Sequence, residues 1–257
     1  MNGWTLLFIV IIFLLVFQSS SPPKKGWGSV VVKGPIQESQ WFIDTLDTLE
    51  KTPNILGLII HINSPGGEVV PSKEMFAALQ QFSKPSVALI RDTATSGGYW
   101  IALGADYIIA DSTSIIGSVG ASASYLEYQG LIRELGITYH EICSGPFKNS
   151  GSPFRTPSPE EVKWRTYMVN EIRNEFLATI VFKRNIDETT LDLLGSGVPL
   201  TGKMGLHLKL IDALGTEQDV LEWLNRHRTE KVSHLFRFDS PHIVLPELNM
   251  FQKLAQF

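Results

Sequence analysis

The sequence contains one cysteine, Cys143, so no disulfide can form within the chain and cysteine usage says nothing about the redox compartment. Its six histidines are scattered without a His-Glu-x-x-His or other paired spacing, which excludes the familiar metal-helix patterns. Basic residues are outnumbered: 22 Lys and Arg stand against 26 Asp and Glu, a formal net charge of -4, and no basic stripe stands out. Nucleic acid is therefore not an expected partner. Internal repeats are also lacking. The 257 residues hold apolar side chains in ordinary measure, 44% of the total, so a packed core is expected.

Charge is absent from Trp4 to Phe17, a run followed by Gln18, three serines, Pro22, Pro23, Lys24 and Lys25. At about 1.5 Å per residue this run covers roughly 21 Å, short of a ~30 Å hydrocarbon layer. It has the length of a signal-peptide core, but Pro22 directly follows the best small-residue site and should hinder cleavage there. The reading is an uncleaved export anchor, single-pass in the cell membrane, with the folded domain on the extracytoplasmic side. Lys24 and Lys25 oppose that orientation under the positive-inside rule. Composition divides the chain into an anchor and linker over 1–25, one domain over 26–225 and an extension over 226–257.

Within the domain, strand and helix signals alternate. Gly28 to Ile36 reads as a strand, and Glu38 to Leu49 has apolar residues at Phe42, Ile43, Leu46 and Leu49, the helical spacing. Ile55 to Ile62 is almost wholly apolar, as in a strand buried on both faces of a parallel sheet. Val69 to Phe82 is again amphipathic, Pro85 to Ile90 is a third strand, and Tyr99 to Gly104 reads as helical. Tyr107 to Ala110, Ile115 to Val119 and Ile137 to Ile142 are expected as short extended pieces. Ser158-Pro159-Glu160-Glu161 opens a long helix to Lys183, and Thr216 to Trp223 is a last one. Strands alternating with helices predict an α/β fold with right-handed crossovers.

Ser96 lies at a strand-to-helix turn and is followed by Gly97 and Gly98, which let the backbone approach a substrate. The free N–H groups of a helix start can hold a developing oxyanion, so a serine here is a candidate nucleophile. As a residue preceding a helix it is equally an N-cap. A nucleophile needs a base. His61 sits inside the apolar second strand and His140 in an extended piece, both more in keeping with packing than with catalysis. A lysine can serve if it is desolvated. Lys148, preceded by Gly145, Pro146 and Phe147, is a candidate against the alternative of a solvated loop lysine.

The segments Asn63-Ser64-Pro65-Gly66-Gly67, Thr95-Ser96-Gly97-Gly98-Tyr99 and Ile116-Gly117-Ser118-Val119-Gly120, followed by Lys148, resemble the signal peptide peptidase A family in order and approximate spacing. The resemblance runs from about Gly28 to Leu224. It implies a crotonase- and Clp-protease-like fold of stacked ββα units. It also implies Ser96 as nucleophile, Lys148 as general base, Ser118 as the serine that orients the lysine, and the amides of Gly67 and Gly97 as oxyanion hole. Further implications are a homo-octameric ring with the lysine reaching a neighbouring subunit's serine, remnant signal peptides as substrates, and no cofactor or metal. Two departures stand out: Lys209 replaces a common glycine before Leu210-Ile211-Asp212, and no acidic residue follows Lys148 closely. Rival readings are a crotonase-like acyl-CoA enzyme and a catalytically inactive scaffold ring.

Overall fold

The computed structural model describes residues 24–226, 228–229 and 231–239. The expected anchor over Trp4 to Phe17 and the tail from residue 240 lie outside them. No helix among the described residues is long and apolar enough to cross a membrane.

Strands β1 (Gly26–Lys33), β2 (Ile55–Ser64) and β3 (Ser86–Thr95) pair in parallel, with Val31 opposite His61 and His61 opposite Leu89. Helices α1 (Gln40–Lys51) and α2 (Val69–Gln81) form the two crossovers. Both lie on one face of the sheet. There Phe42, Leu46 and Leu49 of α1 and Met75 and Leu79 of α2 pack on Val30, Val32, Ile60, Ile62, Ala88 and Ile90. The near-continuous apolar run of β2 follows from burial on both faces, because its alternate residues serve two separate cores. The α/β class is as expected.

Beyond α3 (Gly97–Ala102), the sheet splits. The first half of β3 pairs with β4 (Tyr107–Ala110), and its last residues pair with β5 (Ile115–Gly117). This change of partner midway along β3 branches the sheet, and it places residues 117–118 beside the end of β3. Strand β6 (Pro199–Thr201) is antiparallel to β5, and β7 (Ala213–Leu214) is parallel to β4. Strand β8 (Leu235–Asp239) adds to the free edge of β1, so part of the chain after residue 225 belongs to the sheet.

Between β5 and β6 come α4 (Gln129–Glu134), α5 (Pro159–Lys183) and α6 (Glu188–Gly195); α7 (Gly202–His207) and α8 (Glu217–Asn225) follow. Helix α5 starts as the sequence predicts: Ser158 accepts from the amide of Glu161, and the Glu161 carboxylate accepts from the amide of Ser158. The extended piece expected at Ile137 to Ile142 is not a strand. It has no strand beside it to pair with, and Ile137, Tyr139 and Ile142 are exposed.

Candidate active site

Ser96 occupies the turn between β3 and α3 with φ 51° and ψ -124°. This region disfavours a side chain, and holding a serine there costs on the order of 1–3 kcal/mol. Ser96 is not an N-cap by hydrogen bonding, since its side chain caps no helix amide. The strained turn is held from both ends. The Ser96 amide donates to the Gly117 carbonyl at 2.8 Å, while the Ser96 carbonyl accepts from the amides of Tyr99 and Trp100, each at 3.0 Å. Side-chain packing fixes α3 further: Tyr99 is fully buried and donates its hydroxyl to the Leu210 carbonyl at 2.7 Å, and Trp100 stacks on Phe176 of α5 at 4.3 Å. Ser96 itself is only partly buried.

The loop after β2 lies against this turn. The Ile36 amide donates to Gly66 and the Glu68 amide to Ile36, at 2.9 and 2.8 Å, which leaves the N–H of Gly67 turned away from Ile36. A Cβ on Gly67 would sit 2.1 Å from the Ile36 carbonyl oxygen, so no other residue fits without moving the loop. Gly97 is held just as closely: a Cβ there would lie 2.2 Å from the Ser72 hydroxyl oxygen. Among the described residues no acceptor is found for the amide of Gly67 or of Gly97. As the first residue of α3, Gly97 has no acceptor within its own helix.

Two serines outside the sequence expectations build this arrangement. Ser64 is fully buried, donates to the Gly34 carbonyl at 2.7 Å and accepts from the Gly66 amide at 3.1 Å. It thereby ties the end of β1 to the loop that carries Gly67. Ser72 donates to the Glu68 carbonyl at 2.7 Å and packs on Gly97. The available signal was their place: Ser64 ends an apolar strand, and Ser72 lies in the first turn of an amphipathic helix. A polar residue at either point needs a partner.

Ser118 is brought beside Ser96 through the backbone. It has φ 50°, its amide donates to Val198 at 3.1 Å, and the preceding Gly117 carbonyl accepts from Ser96.

Lys148 is placed differently. It is exposed, and among the described residues no hydrogen bond joins it to Ser96 or Ser118. It belongs to an arm, residues 121–157, whose hydrogen bonds outside itself run to the amino-terminal part of α5. Arg155 grips Glu161 with two bonds of 2.7 Å, and Arg165 donates to Ser150 at 3.2 Å. The Arg155 guanidinium, helped by the Ser158 amide, holds the Glu161 carboxyl down at about 2. Among the described residues neither His61 nor His140 hydrogen-bonds to Ser96. His61 is mostly buried and burial pushes its pKa below the ordinary value, while His140 is exposed in the arm. Among the described residues no group of acidic, histidine and cysteine side chains has the arrangement of a metal site.

The segment that departs from the resembled family bears on α3. Arg184 forms bonds of 2.7 and 3.1 Å with Asp212, whose carboxylate also accepts from the Ile108 amide at 2.7 Å. Together with the bond from Tyr99 to Leu210, this fastens residues 210–212 between α3, α5 and β4. Lys209 has φ 61°, the left-handed region that a glycine adopts without strain.

Comparison with known proteins gives the family. An archaeal protein of Methanocaldococcus jannaschii that carries a protease name is 31% identical over 81% of this chain and 65% of its own length. A protein of Enterococcus faecium that carries the name signal peptide peptidase SppA is 31% identical over 74% of this chain and 56% of its own. The chloroplastic serine protease SPPA of Arabidopsis thaliana is 26% identical over 72% of this chain and 28% of its own. The chain thus spans about two thirds or less of the length of these relatives. Residues 78–231, which include Ser96, Ser118 and Lys148, match the model of Peptidase family S49, and the chain belongs to that family.

Proposed function

We propose that this protein is a serine endopeptidase that cuts extended peptides through an acyl-enzyme. The observation that carries the reading is Ser96, held at positive φ beside two glycine amides that find no acceptor among the described residues. Strain of this kind persists only where the surroundings enforce it, and it turns the hydroxyl out of the strand-to-helix turn toward a substrate. Ser96 Oγ attacks the scissile carbonyl carbon and its proton passes to Lys148 Nζ. The carbonyl oxygen gains charge and is held by the amides of Gly67 and Gly97. The C–N bond then breaks, the leaving amine takes the proton from Lys148, and water hydrolyses the ester left on Ser96. Removing one oxyanion donor of this sort typically costs about a hundredfold or more in rate.

The lysine in this reading comes from a second copy of the chain. Helix α5 connects the arm to the nucleophile's helix, and both attachments are known. Glu161 is clamped by the arm, while Phe176 packs on Trp100 of α3. Their separation along the helix is about 22 Å at 1.5 Å per residue, and among the described residues no hydrogen bond brings Lys148 to Ser96 or Ser118. The arm's exposed Leu126, Leu135, Ile137, Ile142 and Phe147 are suited to lie on a neighbouring subunit. A ring with shared sites, an octamer by family resemblance, meets both conditions. Ser118, adjacent to Ser96, would orient the incoming amine. Remnant signal peptides are the substrate class in this reading, and the run from Trp4 to Phe17 would keep the enzyme at the membrane where they remain.

An acyl-CoA enzyme with a paired-amide oxyanion hole needs no serine in a strained turn, so the geometry favours the peptidase over that rival. Labelling by a fluorophosphonate across about pH 6 to 10 tests the reading, because the reagent captures a serine hydroxyl only when a neighbouring base activates it. Labelling at Ser96 that rises with pH and disappears in Lys148→Ala is expected. Labelling that is absent, or that survives loss of Lys148, would remove the dyad.

A further inference from the structure

Among the described residues, the sheet face opposite α1, α2 and α3 is covered over only part of its length. Helix α8 lays Val220 and Leu224 on Trp27, Ile59, Val87 and Leu89. Toward the carboxyl ends of β1, β2 and β3 the covering stops and the side chains change character. Strands of a parallel sheet are normally apolar on both faces. Here the same face carries Lys33 on β1, His61 and Asn63 on β2, Arg91 on β3 and Arg237 on β8, around a cleft of about 420 Å³.

Pairing register sets these groups in rows. His61 lies opposite Val31 and Leu89, and Asn63 lies opposite Lys33. Arg91, two residues beyond Leu89, faces the same way. Arg237 lies opposite Ser29, one step to the other side of His61. The His61 side chain, 13% exposed, forms the floor, with three permanent cations around it. Two carboxylates stand at the rim. Asp92 accepts from the Asn63 amide at 2.8 Å, and Glu217, the first residue of α8, comes within 4.0 Å of His61. Among the described residues neither Lys33 nor Arg91 nor Arg237 takes part in an ion pair.

Three cations against two rim carboxylates leave a net positive charge around a concave polar site, a field that favours a small anion. Two are guanidiniums, whose forks match the paired oxygens of a phosphate or carboxylate. The position, outside the carboxyl ends of parallel strands, is where α/β sheets commonly hold ligands. We propose that this cleft is a second binding site, for a small oxyanion of the phosphate or carboxylate class, with Arg91 and Arg237 as the fork donors, Lys33 as a further charge and His61 at the floor. It is separate from the Ser96 chemistry and does not rest on the peptidase reading.

His61 supplies the probe. Burial lowers its pKa most; Glu217 opposes this, and Arg91 and Arg237 lower it further. An anion seated between the guanidiniums adds a negative charge beside the ring and moves the midpoint upward. The experiment follows the His61 ring signals of the full chain by NMR from about pH 5 to 8, adding inorganic phosphate, acetate or chloride at matched ionic strength. A saturable upward shift with phosphate or acetate, beyond that with chloride, is the expected result. Arg91→Gln and Arg237→Gln should each weaken it about tenfold or more, with the thermal midpoint unchanged. A response to phosphate alone identifies a phosphate-bearing ligand, and an equal response to acetate identifies a carboxylate such as a peptide end. No shift beyond chloride, or a shift that survives both substitutions, would overturn the proposal.

Discussion

The body that carries Ser96 and the arm that carries Lys148 are built on different principles. Around Ser96 every constraint is internal: paired strands, buried Tyr99 and Trp100, and the serines Ser64 and Ser72 set the loop and the turn against each other. The arm has its own polar stitching, from Asn149 to Glu141 and Tyr139 and from Arg155 to Glu161, but its apolar side chains face outward, Ile142 without any cover. One chain thus sets the Ser96 turn and the Gly67 loop against each other. In the proposed reading the base comes from a second copy. Helix α5 joins the two regions, and its apolar residues run its whole length while only Phe176 and Ile180 become buried apolar contacts.

The sharpest way to break this contrast is to remove one half of the site from each of two chains. Ser96→Ala and Lys148→Ala should each lower kcat by about 10⁴-fold or more in a peptide-hydrolysis assay. Co-assembled in equal amounts, the two inactive variants should recover about a quarter of wild-type activity, because a head-to-tail interface takes one residue from each neighbour. No recovery in verified mixed assemblies would mean that each chain completes its own site.

Within the body, Gly67→Ala forces a Cβ against the Ile36 carbonyl and should reduce kcat by about a hundredfold or more. Ser64→Ala is milder. It leaves the Gly66 amide without its acceptor and should destabilise the fold by about 1–3 kcal/mol. The loss of activity should fall on kcat more than KM, since the loop that presents Gly67 is loosened. Unchanged kcat in a stable Ser64→Ala protein would show that β1 alone positions the loop.

The arm should also respond to acid before the body does. Because Glu161 is held at about 2 against an ordinary 4.5, its ionised form favours the clamped arm above the higher value. That contribution fades as pH falls between the two. Hydrogen exchange in residues 121–157 should therefore accelerate over this range while β1–β3 remain protected. The smallest expected change is Lys209→Gly, which relieves the positive φ and should raise stability by up to about 1 kcal/mol, read from denaturant midpoints.

Much of the body was legible because its signals are local. The strands at Ile55 and Tyr107 and the helices at Val69 and Ser158 begin where patterning, caps and proline place them. Ser96 and the two glycines after it were visible for a similar reason, since a strand-to-helix turn and a close backbone approach each restrict residue type, whereas the expectation for Gly67 came with the family resemblance. Ser64 and Ser72 were not visible as positioning groups, because their partners, Gly34, Glu68 and Gly97, are defined only after the loop has folded onto β1 and α3. The extended piece predicted at Ile137 to Ile142 fails for the opposite reason. Alternation there describes side chains that want cover, but a strand also needs a neighbour, and none of the described strands pairs with it.

By itself the sequence determined the α/β alternation, the placement of Ser96 at a turn and the scarcity of metal, disulfide and nucleic-acid features, all of which depend on residue type and short spacing. Only the tertiary structure decided the strained φ of Ser96, the outward amides of Gly67 and Gly97, the fastening of the arm that carries Lys148 to the amino-terminal part of α5, and the gathering of Lys33, Arg91 and Arg237 on one face. Those depend on register and packing between segments far apart in the chain, where a shift of one residue turns a side chain to the other face.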